Sequence, residues 1–281
     1  MPELPEVETV RRALAPVLER RYIAAAFVGR DDLRWPLPTN LAMRLTGRCF
    51  TAVERRGKYV MMRLDNDDMM LLHLGMSGSV RIHDARPALG KHDHIMLTMT
   101  AADGTTASPP QYVVLNDPRR FGWVDLFPAA EYETHKLLCD MGPEPLGNGF
   151  SAAYLEAVFK GRQGPVKNTL LNQHLIAGIG NIYASEALFH AGISPRRKAA
   201  TISGQRAVRL AAAIVSTLRA AIEDGGTSLR DHVQPGGEIG YFVQRLAVYG
   251  RAGQACQTCD TPIRTLTQAG RSSFYCPRCQ R

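Results

Sequence analysis

The residues best suited to chemistry sit at the two ends of the chain. It opens MPELPEVETVRR, so trimming of Met1 leaves Pro2 first, then Glu3, with Glu6 one turn further on. A prolyl amine is secondary, and its attack on an aldehyde-level carbon gives an iminium that is cationic without a separate proton, an electron sink for elimination. A partly desolvated pocket beside other cations enlarges the neutral, nucleophilic fraction of such an amine. Glu3 and Glu6 are spaced to exchange protons with a substrate and its leaving group. Acids in a first helical turn are also what the helix dipole favours. The pair alone leaves both readings open.

At the other end, Cys256 and Cys259 form one C-x2-C pair and Cys276 and Cys279 another, sixteen residues apart. That spacing matches a tetrahedral Zn²⁺ site, and four thiolates leave no open coordination position, so one structural zinc is expected. Two disulfides are the competing reading. The first twenty residues contain Glu3, Glu6 and Glu8 and no apolar signal core, which disfavours secretion and points to the cytoplasm. From Gly250 onward, Arg251, Arg264, Arg271, Arg278 and Arg281 face the single acid Asp260. A metal-pinned hairpin of that charge reads phosphate or presents a solvated basic face. Cys49 and Cys139 stand alone in apolar surroundings and read as small buried hydrophobes.

These groups need elements to hold them. At 281 residues the chain is long enough for at least two folding units, and 45% apolar with 21% charged residues excludes a disordered chain. No run approaches the length of a membrane span. The formal charge of +8 points toward a polyanionic partner. Val7, Val10 and Leu14 fall at helical spacing over residues 5–15, and Pro16 is expected to end or kink that helix. Residues 22–127 then read as short apolar runs between turn signals, a sheet-rich unit of two layers. ADGT and TTASPP mark a hairpin and a longer loop. After MGPEPLGNGF the period becomes helical, and GGTSLRDHVQPGGEIGY carries enough glycine to read as a mobile loop.

PELPEVETVRR, HLGMSGS at 73–79, DPRRFG at 117–122, MGPEPL at 141–146, GIGNIYASEALF at 178–189 and the terminal cysteine hairpin, in that order, resemble bacterial formamidopyrimidine-DNA glycosylase. The resemblance runs from residue 2 to 281. It implies an α+β chain: an N-terminal β-sandwich with an N-terminal helix, then a helical helix–two-turn–helix domain and a zinc β-hairpin. The expected bounds are 1–130 for the catalytic sandwich, 131–148 for a hinge, 149–245 for the helical domain with its base-recognition loop, and 246–281 for the zinc finger.

The activity implied is that of a bifunctional DNA glycosylase and AP lyase that removes oxidised purines such as 8-oxoguanine from duplex DNA. Pro2 attacks C1′ and the iminium undergoes β- and δ-elimination. Glu3 is implied as the general acid/base, Glu6 as a supporting carboxylate and Lys58, in RRGKYV, as a strand-borne catalytic lysine. Arg271 of the finger joins them at the phosphate beside the flipped nucleotide.

An extruded base leaves a void, and Met76, Arg119 and Phe121 match the trio that fills it. Lys167 and Asn181 match the pair that grips flanking phosphates, although Asn181 after GIG also reads as a helix N-cap. His92 is placed with the DNA-binding residues. No metal role is expected for it or for His73, His94 and His174, which read as structural. Damaged duplex DNA is the expected partner of a monomer with no membrane attachment and no obligate protein partner. Two departures stand out: a longer TTASPPQ connection and an unusual centre in the loop at 226–242. An endonuclease VIII-like enzyme for oxidised pyrimidines would open PEGPE instead of PELPE. A non-catalytic damage binder would not need Pro2, Glu3 and Lys58 together.

Overall fold

The computed structural model describes every residue except 102–108, 228–234 and 236–239. The ADGT hairpin, the lengthened connection and most of the glycine-rich loop therefore lie outside the described residues. The chain divides into two compact units, Met1–Cys139 with Gly225–Tyr241, and Asp140–Asp224 with Phe242–Arg281. The segment 225–241, expected with the helical part, thus groups with the first unit. No helix among the described residues is long and apolar enough to cross a membrane.

The first unit is a sandwich of two four-stranded antiparallel sheets. Its elements are α1 (Leu4–Leu18), β1 (Arg21–Val28), α2 (Leu41–Leu45), β2 (Phe50–Arg56), β3 (Tyr59–Leu64), β4 (Asp68–His73), β5 (Ser79–His83), β6 (Asp93–Ala101), β7 (Gln111–Asn116) and β8 (Trp123–Pro128). One sheet runs β1-β6-β7-β5 and the other β2-β3-β4-β8. Alternating side chains of the two inner faces build one core: Val60, Met62 and Leu72 from one sheet, and Ile95, Leu97, Val113 and Leu115 from the other. Val7, Val10, Leu14 and Leu18 of α1 close the same core, and each such side chain contributes about 1.5–3 kcal/mol when fully buried.

Pro16 lies inside α1, which continues to Leu18. The expected break does not occur, because the hydrogen bond a proline removes there belongs to the last turn, and its orphaned acceptor is the carbonyl of the exposed Arg12. Cys49 is only half-buried and Cys139 is exposed, so neither is the buried thiol its neighbours in sequence led one to expect.

In the second unit α3 (Ala152–Phe159) and α5 (Asn181–His190) pack on the long α6 (Gln205–Glu223), α4 (Val166–Leu170) precedes α5, and β9 (Arg264–Gln268) with β10 (Arg271–Tyr275) forms the terminal hairpin. The hairpin turn is Ala269-Gly270, with φ of 47° and 71°. Two consecutive positive φ values are the mark of a type I′ turn, which matches strand twist, and the register pairs Arg271 with Gln268. Arg271 therefore leaves the turn as an exposed side chain.

Candidate active site

Pro2, Glu3 and Glu6 are all buried at the start of α1, with Glu3 3% and Glu6 2% exposed. Glu3 is the N-cap, and it forms a reciprocal capping box with Glu6. The Glu3 amide donates to Glu6 Oε2 at 2.8 Å. The other Glu6 oxygen accepts the Thr227 amide at 2.8 Å. One carboxylate thus fixes the backbone immediately behind Pro2 and the start of the 227–241 segment together. Gly226 serves this approach: a Cβ there would stand 3.1 Å from Glu6 Oε1, and its φ is +84°.

A second carboxylate ties α1 to the sheet. Glu8 accepts from Arg11, from Arg12 at 2.9 Å and from Arg55 of β2 at 3.2 Å. Burial opposes its ionisation, but hydrogen bonds from Arg11 and Arg12 and the charges of Arg11 and Arg55 outweigh it and hold the carboxyl below the usual range.

Arg55 also donates to the Gly57 carbonyl at 3.1 Å, so the cluster reaches the β2–β3 turn. That turn is Gly57-Lys58, with Gly57 at φ 56°. Lys58 was expected on a strand; it lies instead at this two-residue hairpin tip, and it is only 6% exposed. A solvated edge charge is thereby excluded, and a buried ammonium is what an electrostatic role on a phosphate or sugar requires.

His73, at the end of β4, feels that ammonium. Its pKa is lowered to about 4, first by burial and then by Lys58 and Arg34. The ring is therefore neutral, and its Nδ1 accepts the Gly75 amide at 3.0 Å. It packs against Tyr59 with ring centroids 5.0 Å apart. The ring thereby shapes the turn that follows.

That turn, Leu74–Gly78, presents Met76, which is 42% exposed, and the 117–122 turn presents Arg119 and Phe121, the latter 41% exposed. The guanidinium of Arg119 lies 4.7 Å over the Phe121 ring. Three large side chains are thus offered to solvent by two turns on the same unit. Their exposure keeps Met76 and Phe121 out of the sandwich core. His92 is half-buried; its carbonyl accepts the Asp117 amide at 3.0 Å, so the structure gives it a backbone part in the same region.

The second unit carries the remaining candidates. Lys167 of α4 is 1% exposed and donates to the Ser272 carbonyl at 2.9 Å and Ser273 Oγ at 2.7 Å. It was expected to grip phosphate, but its ammonium is buried and braces β10. Asn181 donates to the same Ser272 carbonyl at 3.0 Å. It is the first residue of α5, not its cap; Gly180 is the N-cap. Lys167 and Asn181 therefore converge on the peptide that follows Arg271, the exposed arginine of the finger.

The four finger cysteines meet as their spacing requires, with all Sγ atoms within 4.8 Å of one another and individual pairs at 3.4, 3.5 and 3.9 Å. A tetrahedral ion with metal–sulfur bonds of about 2.3 Å sets its sulfurs about 3.8 Å apart, so the residues fit one Zn²⁺ with no fifth ligand. The amides of Thr258 and Cys279 point to Cys256 Sγ and Cys276 Sγ at 3.5 and 3.4 Å, which favours the thiolate form.

Three supporting groups escaped the sequence reading. Glu8 was noted only among the acids that break up an apolar signal core, although its spacing to Arg11 and Arg12 at i+3 and i+4 could have marked it. Asp117 sat unremarked inside DPRRFG. Glu186, fully buried in α5, accepts the amides of Ala247, Val248 and Tyr249 at 2.8, 3.0 and 2.8 Å and anchors the segment leading into the finger.

Comparison with known proteins agrees along the chain. Residues 1–124 match the formamidopyrimidine-DNA glycosylase N-terminal domain, 141–233 its H2TH domain, and 253–281 a zinc finger found in FPG and IleRS. A formamidopyrimidine-DNA glycosylase of a Jannaschia species is 53% identical and one of Ruegeria pomeroyi 50%, each over the full length of both chains. Among solved structures, MutM (Fpg) of Thermus thermophilus superposes with a TM-score of 0.85 at 37% identity, covering 99% of this chain and 98% of that one. A Lactococcus lactis FPG variant in complex with Fapy-dG-containing DNA does so with a TM-score of 0.89 at 30% identity, covering all of both chains. The chain belongs to the formamidopyrimidine-DNA glycosylase family.

Proposed function

We propose that this chain is a bifunctional DNA glycosylase and AP lyase that excises oxidised purines from damaged duplex DNA, with Pro2 as the nucleophile. The observation that carries the reading is the buried Glu3–Glu6 carboxylate pair directly behind Pro2, with the Glu3 amide donating a 2.8 Å hydrogen bond to Glu6 Oε2. Met1 acylates the Pro2 nitrogen and removes its nucleophilic lone pair, so its removal precedes activity.

The free amine attacks C1′ of the extruded nucleotide, and the glycosidic bond breaks as the base leaves with a proton. Glu3 supplies the proton that opens the sugar, and the nitrogen lone pair closes the iminium. Loss of a C2′ proton then expels the 3′ phosphate, and δ-elimination expels the 5′ phosphate, leaving a one-nucleotide gap. Water hydrolyses the last iminium and returns Pro2. Glu6 holds the geometry, and Lys58 offsets developing phosphate charge from a water-poor turn.

Met76 and Phe121 fill the void left by the flipped base, and Arg119 donates to the orphan cytosine. Asn181 and Arg271 contact backbone phosphate, with Lys167 as the brace behind them, and the Cys256, Cys259, Cys276 and Cys279 zinc is structural. We place the catalytic sandwich at 1–130, the hinge at 131–148, the helical domain at 149–245 and the finger at 246–281. The protein acts as a monomer in the cytoplasm, on the nucleoid. Duplexes carrying 8-oxoguanine or thymine glycol test the reading: excision of 8-oxoguanine is expected, and exclusive excision of the pyrimidine overturns it.

A further inference from the structure

The two turns that present Met76, Arg119 and Phe121 share one buried carboxylate. Asp117 is 0% exposed. Its Oδ1 accepts from Ser77 Oγ at 2.8 Å, and its Oδ2 accepts from the Gly122 amide at 2.7 Å. Ser77 Oγ in turn accepts from the Arg119 amide at 3.2 Å. The Asp117 carbonyl is held as well, taking His94 Nε2 at 2.9 Å and the Arg120 amide at 3.2 Å.

Backbone contact completes the joint. A Cβ on Gly75 would fall 2.2 Å from the Phe121 carbonyl carbon, and one on Gly122 would fall 2.9 Å from Asp117 Oδ2. The two turn backbones are thus in close contact at Gly75 and Phe121. Apart from the His94 bond, which reaches Asp117 from β6, the bonds of this cluster run within and between the two turns.

A buried carboxylate is a costly way to hold two loops, and an apolar pair would anchor them as well. What the carboxylate adds is direction, since its two oxygens fix the Ser77 hydroxyl and the Gly122 amide at set angles. Side chains that enter a base stack meet an unstacking cost, and wedges already ordered avoid a further entropy loss on insertion. We propose that Asp117 and Ser77 are positioning residues that clip the two turns together, so that Met76, Arg119 and Phe121 enter the duplex as one preset wedge. This rests on the void-filling roles proposed above.

The test compares Ser77→Ala, Ser77→Thr and Asp117→Asn with the wild-type protein on three substrates: 8-oxoguanine opposite cytosine, 8-oxoguanine opposite adenine, and a single strand with a preformed abasic site. The single strand has no orphan base and needs no wedge. Ser77→Ala is expected to lower duplex excision about tenfold relative to single-strand cleavage and to narrow the preference between opposite bases, with Ser77→Thr restoring most of both. Asp117→Asn keeps an acceptor for the Gly122 amide but replaces the oxygen that accepts from Ser77 Oγ by a donor, and falls further. Wild-type ratios in Ser77→Ala overturn the proposal, as does equal loss on all three substrates that threonine does not restore. Met76→Ala and Phe121→Ala run alongside: if they leave the duplex-to-single-strand ratio unchanged, the void-filling reading itself fails.

Discussion

The corner around Pro2 and the terminal hairpin both hold a few functional atoms still, but with opposite materials. In the first unit the fixed groups are acids. Glu3 and Glu6 cap a helix three residues apart, Glu6 takes a second amide from Thr227, and Glu8 gathers three arginines. In the second unit a buried ammonium, Lys167, braces a hairpin across 105 residues of sequence, and a metal closes the rest. The difference follows from the size of the core behind each. The N-terminal corner rests on a sandwich, whereas the finger's own core is only Val248, Cys256, Ile263 and Cys276 with a few half-buried neighbours. A core that small does not repay chain entropy, so the ion supplies the folding free energy.

The largest effect expected from this contrast is therefore on the finger. Stripping zinc with a chelator should cost the hairpin about 10 kcal/mol, seen as loss of its β signal and of duplex binding at fixed salt. Binding that survives complete metal removal would place the duplex contacts elsewhere.

Next comes Glu3→Gln. An amide still caps the helix but no longer delivers a proton, so single-turnover base excision should fall about 10²–10⁴-fold while lesion binding is kept. Unchanged excision would remove the acid/base assignment and reduce Glu3 to a helix cap.

The smallest effect is set by His73. Its folded pKa of about 4 lies below the ordinary imidazole value of 6.5, so the folded state resists protonation. The stability linked to it is fully present above pH 6.5 and is lost as pH falls toward 4, up to about 3 kcal/mol. Denaturant midpoints in that window should fall less steeply in His73→Gln than in the wild-type protein. Equal slopes would show that His73 is not the group being charged.

What the sequence displayed depended on how local the physics was. The zinc ligands were legible because metal geometry dictates the spacing within each pair, and α1 was legible because its apolar period spans only three turns. The exposure of Met76 and Phe121 accords with the glycine- and proline-marked segments around them, GMSG and DPRRFG. The bracing role of Lys167 was not legible: it donates to the Ser272 carbonyl and Ser273 Oγ, and no local pattern announces partners so distant in sequence. Lys58 was misplaced by one step for the same reason that it matters, since a two-residue turn between long strands reads as strand. The Ser77–Asp117 bond joins residues 40 apart and becomes evident only when β5 and β7 pair.

The central claim is that Pro2 forms the covalent intermediate. Borohydride reduction during reaction on a duplex with 8-oxoguanine opposite cytosine, followed by mass spectrometry of the cross-linked peptide, tests it most directly. The expected product is a single adduct on the Pro2 nitrogen of the chain lacking Met1. An adduct on Lys58, or none with processed and zinc-loaded protein, would contradict it.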